Sequence, residues 1–253
     1  MPRLRFSAIS PRFYGSLLVV AFIFLVLDIG ALLLRCGMGN THRRRKLGRA
    51  WLSFMARITV NYLIWSGILE CNLQELAPLR QQKGLILVAN HPSRLDSLIL
   101  ASALPHMTCV TKASIWERPT LGSTLRTAGY PRHDTLLRLL APATTCLTEG
   151  GQLLLFPEGT RSRAGEAPGE FQAGFAAIAQ RTRSAVQPLL IETTSLYLSQ
   201  GWPFLKQPPL PMRYTVHVPP RFPAPARDES CGRALVEAVE SLFKNSEKKS
   251  RVH

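Results

Sequence analysis

A histidine and an aspartate stand five positions apart in the segment Asn90-His91-Pro92-Ser93-Arg94-Leu95-Asp96. The segment closes the apolar run GLILVAN at 84–90, which predicts a buried strand ending just before the histidine. A sharp turn followed by the start of a helix would bring the carboxylate back beside the imidazole. A carboxylate there fixes the ring tautomer and raises its basicity, so that the imidazole can take a proton from an alcohol. Alone, the pattern also fits a turn histidine followed by a helix-capping aspartate.

A second charged segment, Phe156-Pro157-Glu158-Gly159-Thr160-Arg161-Ser162, closes another apolar run, QLLLF at 152–156. Gly159 allows a close backbone approach, and Arg161 offers a planar fork for phosphate or carboxylate. Glu158 can orient that guanidinium or accept a hydrogen bond from a substrate hydroxyl. Alone, this segment also fits an ordinary charged turn, but the two segments together indicate one site.

With NHPSRLD at 90–96 and FPEGTRS at 156–162, the sequence resembles the glycerolipid acyltransferase family, whose bacterial-type members are 1-acyl-glycerol-3-phosphate acyltransferases. The resemblance covers about residues 84–192, and His91 and Glu158 are separated by 67 positions. The residues that stand where the family carries its intermediate motif are Lys112, Pro119, Gly122, Gly129 and Arg132. The chain departs from the family at Pro131, where an acidic or amide residue commonly precedes the arginine.

The resemblance implies direct acyl transfer without a covalent acyl-enzyme. His91, oriented by Asp96, would deprotonate an acceptor hydroxyl, which would attack the thioester carbonyl of acyl-CoA or acyl-carrier protein. The thioester is a co-substrate, and neither a cofactor nor a metal is expected. The acceptor is expected to be a lysophospholipid, most simply 1-acyl-sn-glycerol-3-phosphate in phospholipid biosynthesis. The residues expected to bind substrate are Lys112, Arg132, Glu158, Gly159, Thr160 and Arg161.

From residue 84 onward, short apolar runs alternate with segments of helical pattern. This is typical of an α/β domain whose mostly parallel central sheet is flanked by helices. The predicted strands are 84–90, 107–112, 152–156, 185–192 and 212–218, and the predicted helices are 96–104, 135–148, 171–181 and 231–244. Ligands of such sheets bind at the carboxyl ends of the strands, where both charged segments stand.

The first 70 residues are predicted to associate with a membrane. The run Ser16 to Leu34 would span roughly 29 Å as a helix, close to the thickness of a hydrocarbon core. A basic loop at 42–49 and a second apolar stretch, 51–69, follow it. The prediction is a membrane-anchoring helical pair in residues 1–70 and an acyltransferase α/β domain in 71–253. One anchor plus a core helix is the alternative, and the sequence leaves open whether the first helix spans the bilayer or lies in one leaflet.

The chain carries 31 Lys and Arg against 16 Asp and Glu, a net charge of +15 that favours anionic partners. The basic excess brackets an apolar run, which favours a membrane phospholipid surface. No nucleic-acid partner is expected, because no recognition helix or basic sheet with interleaved aromatics stands out. Five scattered cysteines predict a reducing compartment. Together with the resemblance, this predicts a bacterial inner-membrane protein with its catalytic domain on the cytoplasmic side.

Three other functions remain in competition. The first is acyl transfer to another acceptor, such as glycerol-3-phosphate, a different lysolipid or a specialised lipid. The second is hydrolysis through a Ser or Cys nucleophile, which is disfavoured because the chain contains no GxSxG segment and no Cys close to His91. The third is a non-enzymatic basic protein that binds membranes or nucleic acid through charge alone.

Overall fold

A computed structural model of the chain describes residues 11–159, 169–226 and 228–250, with side chains up to residue 246. The helices are α1 (Pro11–Gly37), α2 (Thr41–Trp65), α3 (Leu95–Ala103), α4 (Ala113–Trp116), α5 (Leu121–Thr127), α6 (Leu136–Thr148), α7 (Gly174–Thr182) and α8 (Glu229–Ser250). The strands are β1 (Leu69–Asn72), β2 (Leu85–Ala89), β3 (Met107–Cys109), β4 (Thr111–Lys112), β5 (Arg132–His133), β6 (Gln152–Leu155), β7 (Val186–Thr193) and β8 (Met212–His217). A 3₁₀ helix covers Gln74–Leu79.

Six strands form one sheet in the order β1-β8-β7-β2-β6-β3, and β4 and β5 pair separately. All pairs in the larger sheet are parallel except β7 with β8. Along β2, Leu85 and Leu87 belong to the core under one layer of helices, whereas Ile86 and Val88 belong to the core under the other. A strand covered on both faces has no solvent side, which explains its unbroken apolar run. The predicted α/β class with a mostly parallel sheet is confirmed.

The basic run at 42–49, predicted as a loop, is helical, so that part of the prediction is wrong. Helix α2 begins in this run because the Asn40 side chain accepts a hydrogen bond from the backbone N of Arg43, at 3.0 Å, and so caps the helix. The charges do not oppose this, since Arg45 and Arg49 both pair with Glu149 at the end of α6.

Helices α1 and α2 form an antiparallel pair that packs along the α/β domain. Ser53 of α2 donates to the carbonyl of Ala101 in α3 at 2.7 Å, and Thr124 of α5 donates to Asp28 of α1. Strand β1 crosses the expected boundary at residue 70 and pairs with β8. The division into 1–70 and 71–253 stays a prediction, and in the described residues both parts contribute to one hydrophobic core.

Candidate active site

The turn after β2 places the predicted pair in direct contact. The Nδ1 atom of His91 lies 2.8 Å from Oδ2 of Asp96. The Asp96 side chain is fully buried, in the first turn of α3, while the imidazole is 19% exposed. A buried carboxylate only accepts, so Nδ1 carries the proton and donates it. The Nε2 atom then keeps a lone pair for a substrate proton.

Hydrogen bonds between side chains and the backbone hold this turn in place at two positions. The backbone N of Ser93 donates to Oδ2 of Asp96 at 2.8 Å, so the same carboxylate oxygen binds both the turn and the imidazole. The side chain of Asn90 donates to the carbonyl of Ile191 at 2.8 Å and accepts from its backbone N at 2.7 Å. The side chain of Asn90 thereby makes the two hydrogen bonds that the backbone would make between neighbouring strands. This fixes the position at which the chain leaves β2.

The second charged segment meets the first, as predicted. The ring of Phe156 stacks on the His91 imidazole, with centroids 3.9 Å apart and planes 13° apart. The backbone N of His91 donates to Oε1 of Glu158 at 3.4 Å. Strands β2 and β6 are parallel neighbours, so their carboxyl ends bring residues 67 positions apart into one site. The sequence predicted that Glu158 orients Arg161 or accepts a hydrogen bond from a substrate hydroxyl. The structure adds a third partner, the backbone N of His91.

Gly159 has the left-handed backbone for which glycine is suited, with φ of +66°. A Cβ atom there would lie 2.7 Å from the Gln172 side chain. The next two predicted binding residues, Thr160 and Arg161, lie outside the described residues.

Lys112 and Arg132 stand on the neighbouring strands β4 and β5, beyond the carboxyl end of β3. The topology places them at the same edge of the sheet as His91, with Lys112 exposed. Arg132 lies 2.8 Å from Glu117 and 3.4 Å from Asp134, and its guanidinium stands 5.9 Å from the centre of the Trp116 ring. These partners orient the guanidinium and leave it 36% exposed. An anionic ligand would compete with the two carboxylates for it.

Sequence reasoning missed two aromatic residues of the site. Phe156 is the first residue of the second segment, so its position next to a charged turn was visible, but its stacking on His91 required the register between β2 and β6. Tyr214 of β8 is buried behind Asp96, and no signal in the sequence connects the two. Burial, and after it the Asp96 carboxylate, raise the pKa of Tyr214, so the phenol stays neutral near that carboxylate.

Two other kinds of site were possible from the residue types, a cysteine nucleophile and a metal centre. Burial raises the pKa of Cys109 to about 12, so this thiol is protonated at neutral pH and is a poor nucleophile. In residues 11–159, 169–226 and 228–250, no group of three or more His, Cys, Asp or Glu side chains could hold a metal ion.

The segments that form this site lie within a region that matches a known protein family. The family model described as Acyltransferase matches residues 70–192, from β1 to the end of β7, and so includes both charged segments. Over these residues, just under half of its length, the chain is similar to this acyltransferase family.

Two relatives with an acyltransferase name match part of the chain. The chain is 31% identical over 112 residues to a 1-acyl-sn-glycerol-3-phosphate acyltransferase of Helicobacter pylori, covering 42% of this chain and 47% of that protein. It is 28% identical over 140 residues to an enzyme of the same name from Limnanthes douglasii, covering 53% and 50%. The matches thus span about half the length of these acyltransferases.

A solved structure shares the whole acyltransferase fold. The crystal structure of the 1-acyl-sn-glycerophosphate acyltransferase from Thermotoga maritima superposes with a TM-score of 0.66, covering 96% of this chain and 98% of that one. Sequence identity is 20%, so this similarity supports the fold, including the helical pair at the start of the chain.

Proposed function

We propose that this acyltransferase moves a fatty acyl group from a thioester donor, acyl-CoA or acyl-carrier protein, to a hydroxyl of a lysophospholipid. The acceptor that fits best is 1-acyl-sn-glycerol-3-phosphate. The observation that carries the proposal is the contact between His91 and the buried Asp96, at a sheet edge that also holds Glu158 and Arg132. The names of the relatives point to the same acceptor.

The chemistry follows from the state of the imidazole. With its Nδ1 proton held by Asp96, His91 takes the acceptor hydroxyl proton on Nε2 as the oxygen attacks the thioester carbonyl. The C–O bond forms, the tetrahedral intermediate collapses, and the C–S bond breaks. The thiolate leaving group recovers the proton from His91, so the enzyme returns to its starting state. The imidazolium that forms in between is stabilised by the Asp96 carboxylate.

Two described cations at the same edge, Lys112 and Arg132, suit an anionic acceptor. Lys112, Arg132 and Arg161 are proposed to bind its phosphate, and Glu158 with Gly159 and Thr160 its glycerol hydroxyl. Fixing the phosphate holds the alcohol against His91, which turns an encounter of two molecules into a reaction within one complex.

The membrane is the proposed source of the acceptor, with α1 lying in one leaflet. Helix α1 is the one helix of the described chain that is long and apolar enough to cross a bilayer. It contacts the α/β domain from Phe13, against Tyr197, to Asp28, against Thr124, a span of about 23 Å. A crossing helix would pull the domain into the hydrocarbon, whereas a flat helix exposes its outer face to lipid. The bacterial inner membrane, with the domain on its cytoplasmic side, is the proposed location.

The test is mass spectrometry of the lipids formed from a panel of acceptors and thioester donors. We expect acylation of lysophosphatidic acid, and at least about 10³-fold loss of it in His91→Ala, because the base is removed. Cys109→Ala is the matched control and should keep substantial activity. Retained transfer in His91→Ala would exclude this base.

The same panel separates the alternatives. Exclusive acylation of glycerol-3-phosphate or of another lysolipid would change the acceptor and leave the mechanism standing. Release of free fatty acid without transfer would indicate a hydrolase. Vesicle binding without any acyl chemistry would indicate a membrane-binding protein.

A further inference from the structure

The segment that joins β7 to β8, residues 194–211, supports the histidine turn from outside the family-matched region. We call it the crossover loop. The hydroxyl of Ser93 donates to the carbonyl of Tyr197 at 2.8 Å, and the backbone N of Arg94 donates to the carbonyl of Leu198 at 3.3 Å. Leu198 has a left-handed backbone, with φ of +60°, which is strained for a residue with a side chain. The surrounding contacts therefore fix this part of the loop.

The other side of the crossover loop contacts the first turn of α1. The ring of Tyr197 packs edge-on against Phe13, with centroids 5.5 Å apart. The hydroxyl of Tyr14 donates to the carbonyl of Leu205 at 3.2 Å, and the hydroxyl of Tyr197 donates to the carbonyl of Phe204 at 3.1 Å. A single segment thus connects the turn that carries His91 to the helix proposed to lie in lipid.

The tip of the loop exposes large apolar side chains. Phe204 is 55% and Leu205 is 65% exposed, so neither side chain belongs to the buried core. They extend a stripe on α1 that begins at Tyr14 and repeats every three or four residues. The exposed members of this stripe on α1 are Leu18, Phe22, Leu25, Ile29 and Leu32. Because the Tyr14 hydroxyl binds the backbone carbonyl of Leu205, the tip lies beside the end of this stripe, and both expose apolar side chains.

We propose that Phe204 and Leu205 insert into the lipid surface as a second membrane contact beside α1. Charge complementarity supports a lipid as the partner. Lys206 follows the tip, and its ammonium stands 4.9 Å from the centre of the Trp202 ring. Lys and Trp at the end of an apolar surface are typical of the headgroup level of a bilayer.

The contact has a consequence for catalysis, which rests on the proposed function. Since the crossover loop accepts hydrogen bonds from Ser93 and Arg94, inserting its tip fixes the histidine turn at the bilayer surface. A lysophospholipid can then present its hydroxyl to His91 while its acyl chain stays in the leaflet.

The insertion is tested first without any enzymatic readout. A cysteine introduced by Leu205→Cys, in a background with Cys36→Ser and Cys231→Ser, is labelled with an environment-sensitive fluorophore. On vesicles of phosphatidylglycerol and phosphatidylethanolamine we expect a blue shift and quenching by brominated chains. The same label at Glu237→Cys, an exposed position on α8, is the control and should show neither change. Equal emission at the two positions would overturn the proposal.

The second test removes the apolar tip. In Phe204→Ser combined with Leu205→Ser, vesicle affinity should fall at least about tenfold, because two exposed apolar side chains no longer enter lipid. The ratio of acyl transfer to an acceptor in vesicles over transfer to the same acceptor in detergent should fall as well. Thermal melting checks that the variant is folded. An unchanged affinity together with an unchanged ratio would overturn the proposal, while absence of transfer in the unmodified protein would contradict only the proposed function.

Discussion

At the scale of single residues, the imidazole of His91 is held from three directions. Asp96 binds Nδ1, the ring of Phe156 covers one face, and Glu158 accepts from the backbone N. These contacts fix the ring position, the proton position and the turn independently of substrate. Preorganisation of this kind lets a weak base act, because no part of the reaction energy is spent on orienting it.

The carboxylate of Asp96 is predicted to act through the proton on Nδ1. In Asp96→Asn the side chain keeps its size but can present an amide N–H, which favours the tautomer with its lone pair on Nδ1. We expect kcat to fall by about 10²–10⁴-fold, with KM for the acceptor changed much less. The measurement is steady-state acyl transfer with a saturating thioester.

The control for this prediction is Asp228→Asn, an exposed aspartate before α8 that is far from the dyad in the fold. It should leave kcat within about twofold, as surface substitutions usually do. If Asp96→Asn raised KM and spared kcat, the aspartate would serve substrate binding instead.

At the scale of elements, α2 connects the helical pair to the α/β domain in two ways. Its glycine at position 48 lies against the backbone of α5, where a Cβ atom would come within 2.9 Å of Ala128. One turn away, Arg45 and Arg49 bind the carboxylate of Glu149, and His42 lies 3.1 Å from the same group. Close packing and an ion-pair cluster therefore hold the same part of the helix.

The ion-pair cluster predicts a pH-dependent stability. Burial raises the pKa of Glu149, but donation from Arg45 and His42 and the charges of Arg45 and Arg49 outweigh it, so the pKa lies below its ordinary 4.5. A lowered carboxyl pKa stabilises the fold above pH 4.5, and this stability is lost as pH falls through the lower, folded-state value. Glu149→Gln should lose about 2–3 kcal/mol at pH 7, because the buried Arg49 keeps its charge without an anionic partner.

Denaturant unfolding in detergent at several pH values measures this difference. It should be largest near neutral pH and shrink in strong acid, where the native carboxyl is protonated too. Glu70→Gln removes an exposed pair between β1 and Arg213 of β8 and should cost less than about 1 kcal/mol. A cost for Glu149→Gln that does not change with pH would exclude the ion-pair explanation.

At the scale of the whole molecule, the apolar and the basic surfaces are separate. The apolar stripe runs along α1, and the exposed cations Arg43 and Lys46 stand in the first turns of α2. Arg45 and Arg49 contribute less to this surface, because both side chains bind the carboxylate of Glu149 and Arg49 is buried. Of the basic run, Arg43 and Lys46 are therefore the side chains best placed to reach anionic headgroups.

This arrangement predicts salt-dependent binding to anionic vesicles. Arg43→Gln combined with Lys46→Gln should weaken binding to phosphatidylglycerol vesicles by about 30-fold at low salt, at roughly 1 kcal/mol for each cation near the surface. The loss should diminish as salt rises, since screening weakens the contribution of both cations. Vesicle sedimentation across a salt series measures both effects.

The matched pair is Arg181→Gln with Arg233→Gln, which removes the same charge from exposed positions on α7 and α8. It should weaken binding far less, because those helices cover the other face of the sheet. Equal losses from the two pairs would show that net charge, and not the first turns of α2, determines the binding.

Local patterns were sufficient for the fold class and for the core of the site. Unbroken apolar runs predicted buried parallel strands, and charged residues at their ends predicted His91, Asp96 and Glu158 as neighbours. This succeeded because parallel strands place their carboxyl ends at one edge, whatever the rest of the chain does. The same locality explains the error at 42–49, where charge suggested a loop although Asn40 caps a helix and Glu149 pairs with two of its arginines, Arg45 and Arg49.

Contacts between residues far apart in sequence were decided by tertiary structure alone. The stacking of Phe156 on His91 depends on the register of β2 against β6, and the burial of Tyr214 near Asp96 depends on the pairing of β8 with β7 and β1. The position of α1 along the domain depends on contacts such as the hydrogen bond from Thr124 to Asp28. Through them one side of this apolar helix packs against the domain. A sequence pattern records which side chains avoid water, and only the packed chain determines what they meet instead.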